Sequence, residues 1–248
     1  AVEIDNTHPS ISSVTFDSGD YVNNAEDESA IDLVIVTSGA EDTETVTATL
    51  NGADYTCDLS SNTCTASITS AALKALTDGT SYTFSVAVSD TAGNAATADT
   101  SESFTYDVTA PTSTTAAESV SGTGDANDAD VVTITLDPSE TVGTPTCTFT
   151  DGDGAMEDTT VEYATVGGTD HHTAKVTVHN DDDDGAVGFS CTYADLAGND
   201  IASAITVATS GAVTIDNTHP TMTPVSIDET GDGDANDGDD ITLSFTTS

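Results

Sequence analysis

The sequence contains no arginine and no tryptophan. Its only lysines are Lys74 and Lys175, set against 44 Asp and Glu, and the formal charge of the 248-residue chain is -42. Two lysines cannot form the basic footprint that displaces counterions from nucleic acid, so a nucleic-acid partner is excluded. Direct docking on anionic lipid is excluded for the same reason. No apolar run approaches the ~20 residues of a membrane span. No basic start with an apolar stretch marks a signal peptide, so one has been removed or the chain is an internal piece.

Catalytic signatures are missing as well. There is no Gly-rich phosphate loop and no His-Glu-x-x-His, and no Gly-x-Ser-x-Gly nucleophile turn. Carboxylates abound, but an acid and base pair needs two distinct environments, and abundance does not supply them. The chain is not expected to be an enzyme. No Cys-x-x-Cys occurs, which argues against thiol-redox or zinc chemistry. No Asn-x-Ser/Thr sequon occurs, so N-glycans are not expected.

What is present is a repeat. Ile-Asp-Asn-Thr-His-Pro at 4–9 returns identically at 215–220, and Tyr-Asp-Val-Thr-Ala-Pro at 106–111 is a looser copy. Asp-x-Ala-Gly-Asn recurs in phase, at 90–94 and 195–199. Gly-Asp-Ala-Asn-Asp recurs at 124–128 and 233–237. The markers divide the chain into a linker motif at 1–9, units at 10–106 and 107–215, and the first strands of a third, incomplete unit at 216–248. A strand from a neighbouring chain completing that unit is the alternative to a fragment of a longer array.

Each unit reads as strands. Apolar and polar residues alternate at 31–36, 46–50, 82–88, 131–136, 174–178 and 189–193, with Thr and Val dominant. Asp, Asn and Gly punctuate the turns. One short helix is expected at 70–76. About seven short strands per unit predicts an all-β chain of tandem immunoglobulin-like β-sandwiches in a linear array. Each complete unit holds two cysteines, Cys57 with Cys64 and Cys147 with Cys191, so pairing within units is the simplest of the three possible patterns. Disulfides imply an extracellular compartment.

The acidic loops carry the only strong chemical signal. Residues 232–240 place Asp232, Asp234 and Asn236 at alternate positions, as a calcium loop does, although no Glu closes the set and no helix flanks it. The second unit offers Asp125, Asn127, Asp128 and Asp130 at the matching place, with Thr123 where the later copy has Asp232. Asp182 and Asp183 lie in a run of four aspartates. In a seven-strand sandwich the last hairpin loop faces the linker entering its own unit. Asp195 and Asn199 should therefore approach Asp107, and Asp90 and Asn94 should approach Asp5. The opposite end of each unit should bring its loops, including Asp78 in the first, near the next linker at Asp107 or Asp216. Divalent ions are expected to clamp these junctions, calcium first and magnesium second, at several sites. Each motif also has a plain structural reading, as an Asx turn or a Pro-fixed linker.

Asp-x-Thr-x-Pro linkers with Asp-x-Ala-Gly-Asn loops on all-β units resemble the immunoglobulin-like repeats of giant bacterial and archaeal surface proteins. Two groups fit. The main one, favoured by extreme acidity without Arg, is the acidic surface-layer (S-layer) proteins of ammonia-oxidising marine archaea, which would make this chain a structural lattice component of the cell envelope with calcium-stabilised repeats. Its partners would then be copies of itself in a two-dimensional sheet, with metal ions and small cations drawn to an anionic surface. The other is the large calcium-stiffened adhesins, in which linker and loop carboxylates bind calcium. That resemblance implies Asp5, Asp90, Asp107, Asp195 and Asp216 as ligands. Acidity of a halophile type, without specific ion sites, is a further alternative.

Overall fold

The computed structural model describes residues 4–121, 125–166, 171–229, 237–238 and 240–247. The first unit opens with β1 (Ser10–Phe16), β2 (Tyr21–Val22), a 3-10 turn (Glu26–Glu28) and β3 (Ile31–Ser38). It continues with β4 (Thr45–Leu50), β5 (Ala53–Asp58), β6 (Thr63–Ile68), α1 (Ser70–Leu73), β7 (Thr80–Thr83), β8 (Ser85–Ala87) and β9 (Ser103–Tyr106). One sheet has the order β1-β3-β6, and its pairs are antiparallel. The facing layer runs β5-β4-β8, and the same chain segment continues through β7 to β9 and β2. The last pair, β2 with β9, is parallel. This is an immunoglobulin-like sandwich, in which the entry strand crosses from one sheet to the other.

Alternation dictates which face is buried. In β3, Ile31, Leu33 and Ile35 point inward while Asp32 is exposed, as a period of two requires. Phe16, Phe84 and Phe104 meet between the sheets, with ring centroids 4.8 to 5.7 Å apart. The expected strand at 82–88 is interrupted at Phe84, whose amide pairs with the Glu102 carbonyl while its ring fills the core. Helix α1 is shorter than the sequence suggests. Thr69 caps it through Ala72 N–H, at 3.3 Å.

The second unit repeats the plan with β10 (Ser113–Val120), β11 (Val131–Pro138), β12 (Thr146–Thr150), β13 (Glu162–Thr165), β14 (His172–Thr177), β15 (Gly185–Ala186), β16 (Gly188–Thr192) and β17 (Thr214–Ile215). One sheet is β10-β11-β14-β13, and the facing layer is made of β12-β16 and β15-β17. Ala126 bridges Ile215 in parallel, as Val22 bridges Tyr106 in the first unit. Each unit buries its own apolar core. After residue 220 a third hairpin follows, β18 (Met222–Glu229) with β19 (Ile241–Thr247).

The three opening hairpins share a register and an early bulge. Phe16 opposite Leu33, Glu118 opposite Ile134 and Ile227 opposite Leu243 occupy equivalent places. A carboxylate thus stands in the second core where the first has an aromatic ring. Glu118 is buried, its Oε1 has no partner, and burial holds its carboxyl above the usual range.

Both disulfides form within units, and among the described residues no cysteine is free. Cys57–Cys64 joins β5 to β6 and so ties the two sheets at their edge. Cys147–Cys191 joins directly opposed residues of β12 and β16 in one sheet.

Candidate metal centre at the interdomain junction

The linker after the first unit is fixed from both units. From the first unit, Asp78 accepts the Val108 N–H at 2.8 Å through Oδ1 and the Thr109 hydroxyl through Oδ2. The Thr109 hydroxyl and then the Val108 amide hold the Asp78 carboxyl below the ordinary range. From the second unit, Asn199 donates through Nδ2 to the Asp107 carbonyl at 2.8 Å. Asn199 is itself fixed by Asp195, whose Oδ1 and Oδ2 accept from its backbone and side-chain amides, each at 2.8 Å. Its Oδ1 accepts the Asn24 N–H of the first unit at 2.9 Å, and the Asn23 side chain donates to the Ala197 carbonyl at 2.9 Å. The approach of Asp195 and Asn199 to Asp107, expected from the topology, is therefore present. One neutral side chain latches both units to the linker.

Beside that latch three carboxylates converge. Asp107, Glu140 and Asp195 each offer an oxygen, and these atoms lie within 4.8 Å of one another. Among the described residues they are the one set of three metal-type side chains that meets so closely. Burial pushes the Asp107 carboxyl up, and the charges of Asp195 and Asp78 add to this against the Thr109 amide. Burial also raises Glu140, with Asp107, Asp195 and Asp78 adding repulsion. No side-chain cation answers these charges, because Lys74 pairs with Glu28 at 2.8 Å and Lys175 stands opposite Glu162 on β13. The donors are all hard oxygens, the ligand chemistry of Ca2+ or Mg2+ rather than of zinc.

Sequence reasoning missed Glu140. It lies in the turn after β11, and its equivalent in the first unit is Gly39, at φ +83 with no side chain. At the first linker, Asn94 donates to the Asp5 carbonyl at 3.2 Å and to Asp90 Oδ2 at 2.9 Å. The Asn94 side chain holds Asp90 below the ordinary range, and Asp5 Oδ1 accepts the Thr7 N–H at 2.8 Å. Asp5, Asp90 and Asn94 meet there as expected, but without a third carboxylate.

No protein-family model matches the chain, and no curated sequence does. Solved structures do. One is a 1.5-MDa bacterial ice-binding adhesin described for host cell surface retention, with 22% identity over 82% of this chain and 64% of that one, at a TM-score of 0.46. Another is a Ca2+-stabilized adhesin with which an Antarctic bacterium binds ice, with 20% identity over 85% of this chain and 51% of that one, at a TM-score of 0.47. A third is a tetra-tandem repeat from the extending region of a large adhesion protein, with 17% identity over 96% of this chain and 62% of that one, at a TM-score of 0.36. The chain thus spans between about half and about two thirds of the length of these structures.

The far end of the second unit copies the far end of the first. Asp216 N–H donates to the Ala126 carbonyl at 2.9 Å, as Asp107 N–H does to Val22 at 3.0 Å. Asp184 accepts the Asn217 N–H at 2.6 Å and the Thr218 hydroxyl, as Asp78 does one unit earlier. The Thr218 hydroxyl and then the Asn217 amide hold Asp184 low. Asp182 is buried and accepts the Glu157 and His179 amides at 2.7 and 2.8 Å, so its oxygens cap the chain. Asp183 lines a polar cleft with Asp153, Asn180 and Asn217. Asp130 accepts from the Ser121 hydroxyl and the Asn127 amide, each at 3.1 Å, and so closes its own turn. Asp125, Asn127 and Asp128 are exposed, and the last two line a cleft with Asp216. Asp232, Asp234 and Asn236 lie outside the described residues.

Proposed function

We propose that the chain is a structural segment of an extracellular surface protein, in which immunoglobulin-like units are joined through a junction that binds a divalent cation. The convergence of Asp107, Glu140 and Asp195 carries this reading. An ion there would draw together the linker, the turn after β11 and the Asp195 hairpin. It would offset repulsion that the two lysines do not answer. Calcium accepts six to eight oxygens in flexible geometry, whereas magnesium needs a near-ideal octahedron, so an open carboxylate set favours calcium. Two disulfides support an oxidising, extracellular site of action. The role is architectural, and no bond-making step is assigned to any residue.

The resemblance to calcium-stiffened adhesins implies Asp107 and Asp195 among the ligands. One of the similar structures is described as a Ca2+-stabilized adhesin. We take the same role here on the strength of the junction.

The test is thermal unfolding with calcium titrated against magnesium at fixed, high ionic strength. Extracellular calcium sites bind at ~10⁻⁴–10⁻³ M, and ligand at 100 times its dissociation constant adds about 2.7 kcal/mol. The melting temperature should rise and saturate with calcium, and Glu140→Gln should remove most of that rise. An equal, unsaturating response to both ions would mean plain screening, and acidity of the halophile type would then be the better account.

A further inference from the structure

The path of the chain through each unit sets how the unit meets a pull along the polypeptide. The linker enters at β1 and leaves after β9 in the first unit, and enters at β10 and leaves after β17 in the second. In each unit an entry segment pairs in parallel with the exit segment. In the first, Tyr21 and Val22 pair with Thr105 and Tyr106, supported by Thr105 N–H to the Asp20 carbonyl at 2.9 Å and Asp107 N–H to the Val22 carbonyl at 3.0 Å. In the second, Ala126 N–H donates to Thr214 at 2.7 Å and Asp216 N–H to Ala126 at 2.9 Å. Parallel partners pulled from opposite ends slide along each other. Their hydrogen bonds are then loaded together and do not open one by one.

The two units hold the entry strand differently. In the second, the entry strand β10 is also held by the exit segment, through a parallel bridge between Ala117 and Ser210. Glu118 N–H donates to the Ser210 carbonyl at 3.0 Å, and Thr209 N–H to the Ala116 carbonyl at 2.8 Å. The Thr209 hydroxyl donates to that same carbonyl at 2.8 Å. In the first unit β1 pairs only with β3 in its sheet. Its tie to the exit side is one side-chain bond at its far end, Phe16 N–H to Glu102 Oε1 at 2.6 Å, so the edge before it can open before the load reaches β2 and β9. In the second unit the load meets the extra patch at once.

We propose that the chain bears tension and yields in a fixed order, the first unit before the second, with the parallel patch at Ala116–Glu118 and Thr209–Ser210 setting the higher resistance of the second. The disulfides then set how much chain each event releases. Cys57–Cys64 spans only 7 residues, whereas Cys147–Cys191 spans 44 and keeps that segment out of the extended length. The first unit is a long, early extension, and the second is a short, late one. This inference is independent of the ion reading.

Single-molecule force spectroscopy of the 248-residue chain, held at its two ends in a chelator, tests it. At ~3.5 Å per extended residue, and after subtraction of the folded length, the first unit should release about 300 Å and the second about 200 Å. The long step should come at the lower force. Under reducing conditions the second step should lengthen by about 150 Å, which identifies it as the unit with the wide disulfide loop. Thr209→Pro removes both Thr209 donors, and should lower the force of the short step without changing the long one. A short step that comes first, two steps at one force, or a short step unmoved by Thr209→Pro would each overturn the proposal. A variant that fails to fold would show no short step at all, and the order of events in the unsubstituted chain would still decide.

Discussion

Asp78 and Asp184 hold the linkers that leave their respective units with the same pair of bonds, one from the second residue of Asp-x-Thr-x-Pro and one from its threonine hydroxyl. Each aspartate precedes a glycine, Gly79 or Gly185, at the start of the strand that crosses toward the exit side. The linker motif is thus read by a carboxylate from the preceding unit as well as by the loop of the following one.

Asp78→Ala should speed amide exchange at Val108, and Asp184→Ala should do the same at Asn217, with both cores left folded. Both carboxyls sit below the ordinary range, so their contribution is fully present above the unfolded value near about 4 and is lost as pH falls through the lower folded value. Protection at Val108 and Asn217, followed by hydrogen exchange across a pH series, should survive to about pH 4 and disappear below it. Loss of protection beginning near neutral pH would contradict the assignment.

Asn199→Ala removes the side chain that touches Asp195, the Asp107 carbonyl and the Asn24 amide. The group is buried, so about 1–3 kcal/mol is expected to be lost at the junction. Residual dipolar couplings should show the orientation between the two units broadening. Asn94→Ala breaks contacts only to Asp5, Thr7 and Asp90, and should leave that orientation unchanged.

Glu118→Gln should stabilise the second unit at neutral pH. Burial raises the folded value of this carboxyl, so the native state holds the proton more tightly than the unfolded chain. The cost is absent below the unfolded value, grows as pH rises through the window, and is complete above the folded value. Denaturant unfolding should show a gain of about 1 kcal/mol at pH 7 that vanishes near pH 4. A variant less stable than the parent at pH 7 would show that the buried charge is compensated.

Much of this was legible in the sequence, and the reasons differ by element. The alternation in β3, β4 and β11 is plain, because one face of each strand is buried and the other wet. The repeat markers placed Asn199 beside Asp107 and Asn94 beside Asp5, since a sandwich fixes which loops share an end. Strand β10 showed no such pattern, because Ser-Thr-Thr-Ala-Ala-Glu-Ser-Val carries few apolar residues and buries a glutamate. Glu140 was invisible because its approach to Asp107 depends on where one turn packs, which no local spacing records. The run of four aspartates looked uniform, yet Asp182 caps the chain and Asp184 ties the linker. Hydrogen-bond direction distinguishes neighbours that composition treats alike.

Gly39 and Glu140 hold equivalent positions, and the difference between them has a consequence for any longer run of such units. Gly39 takes a positive φ of +83 and Glu140 does not, so the exchange alters the local turn together with the electrical character of the joint, while the strand pairing beside it is the same in both units. On the ion-binding reading, a glycine there gives a joint that ignores the surrounding water, and a glutamate gives one that senses its hardness. A polymer assembled from one fold could then carry a written pattern of fixed and chemically tunable hinges, spelled one residue per unit.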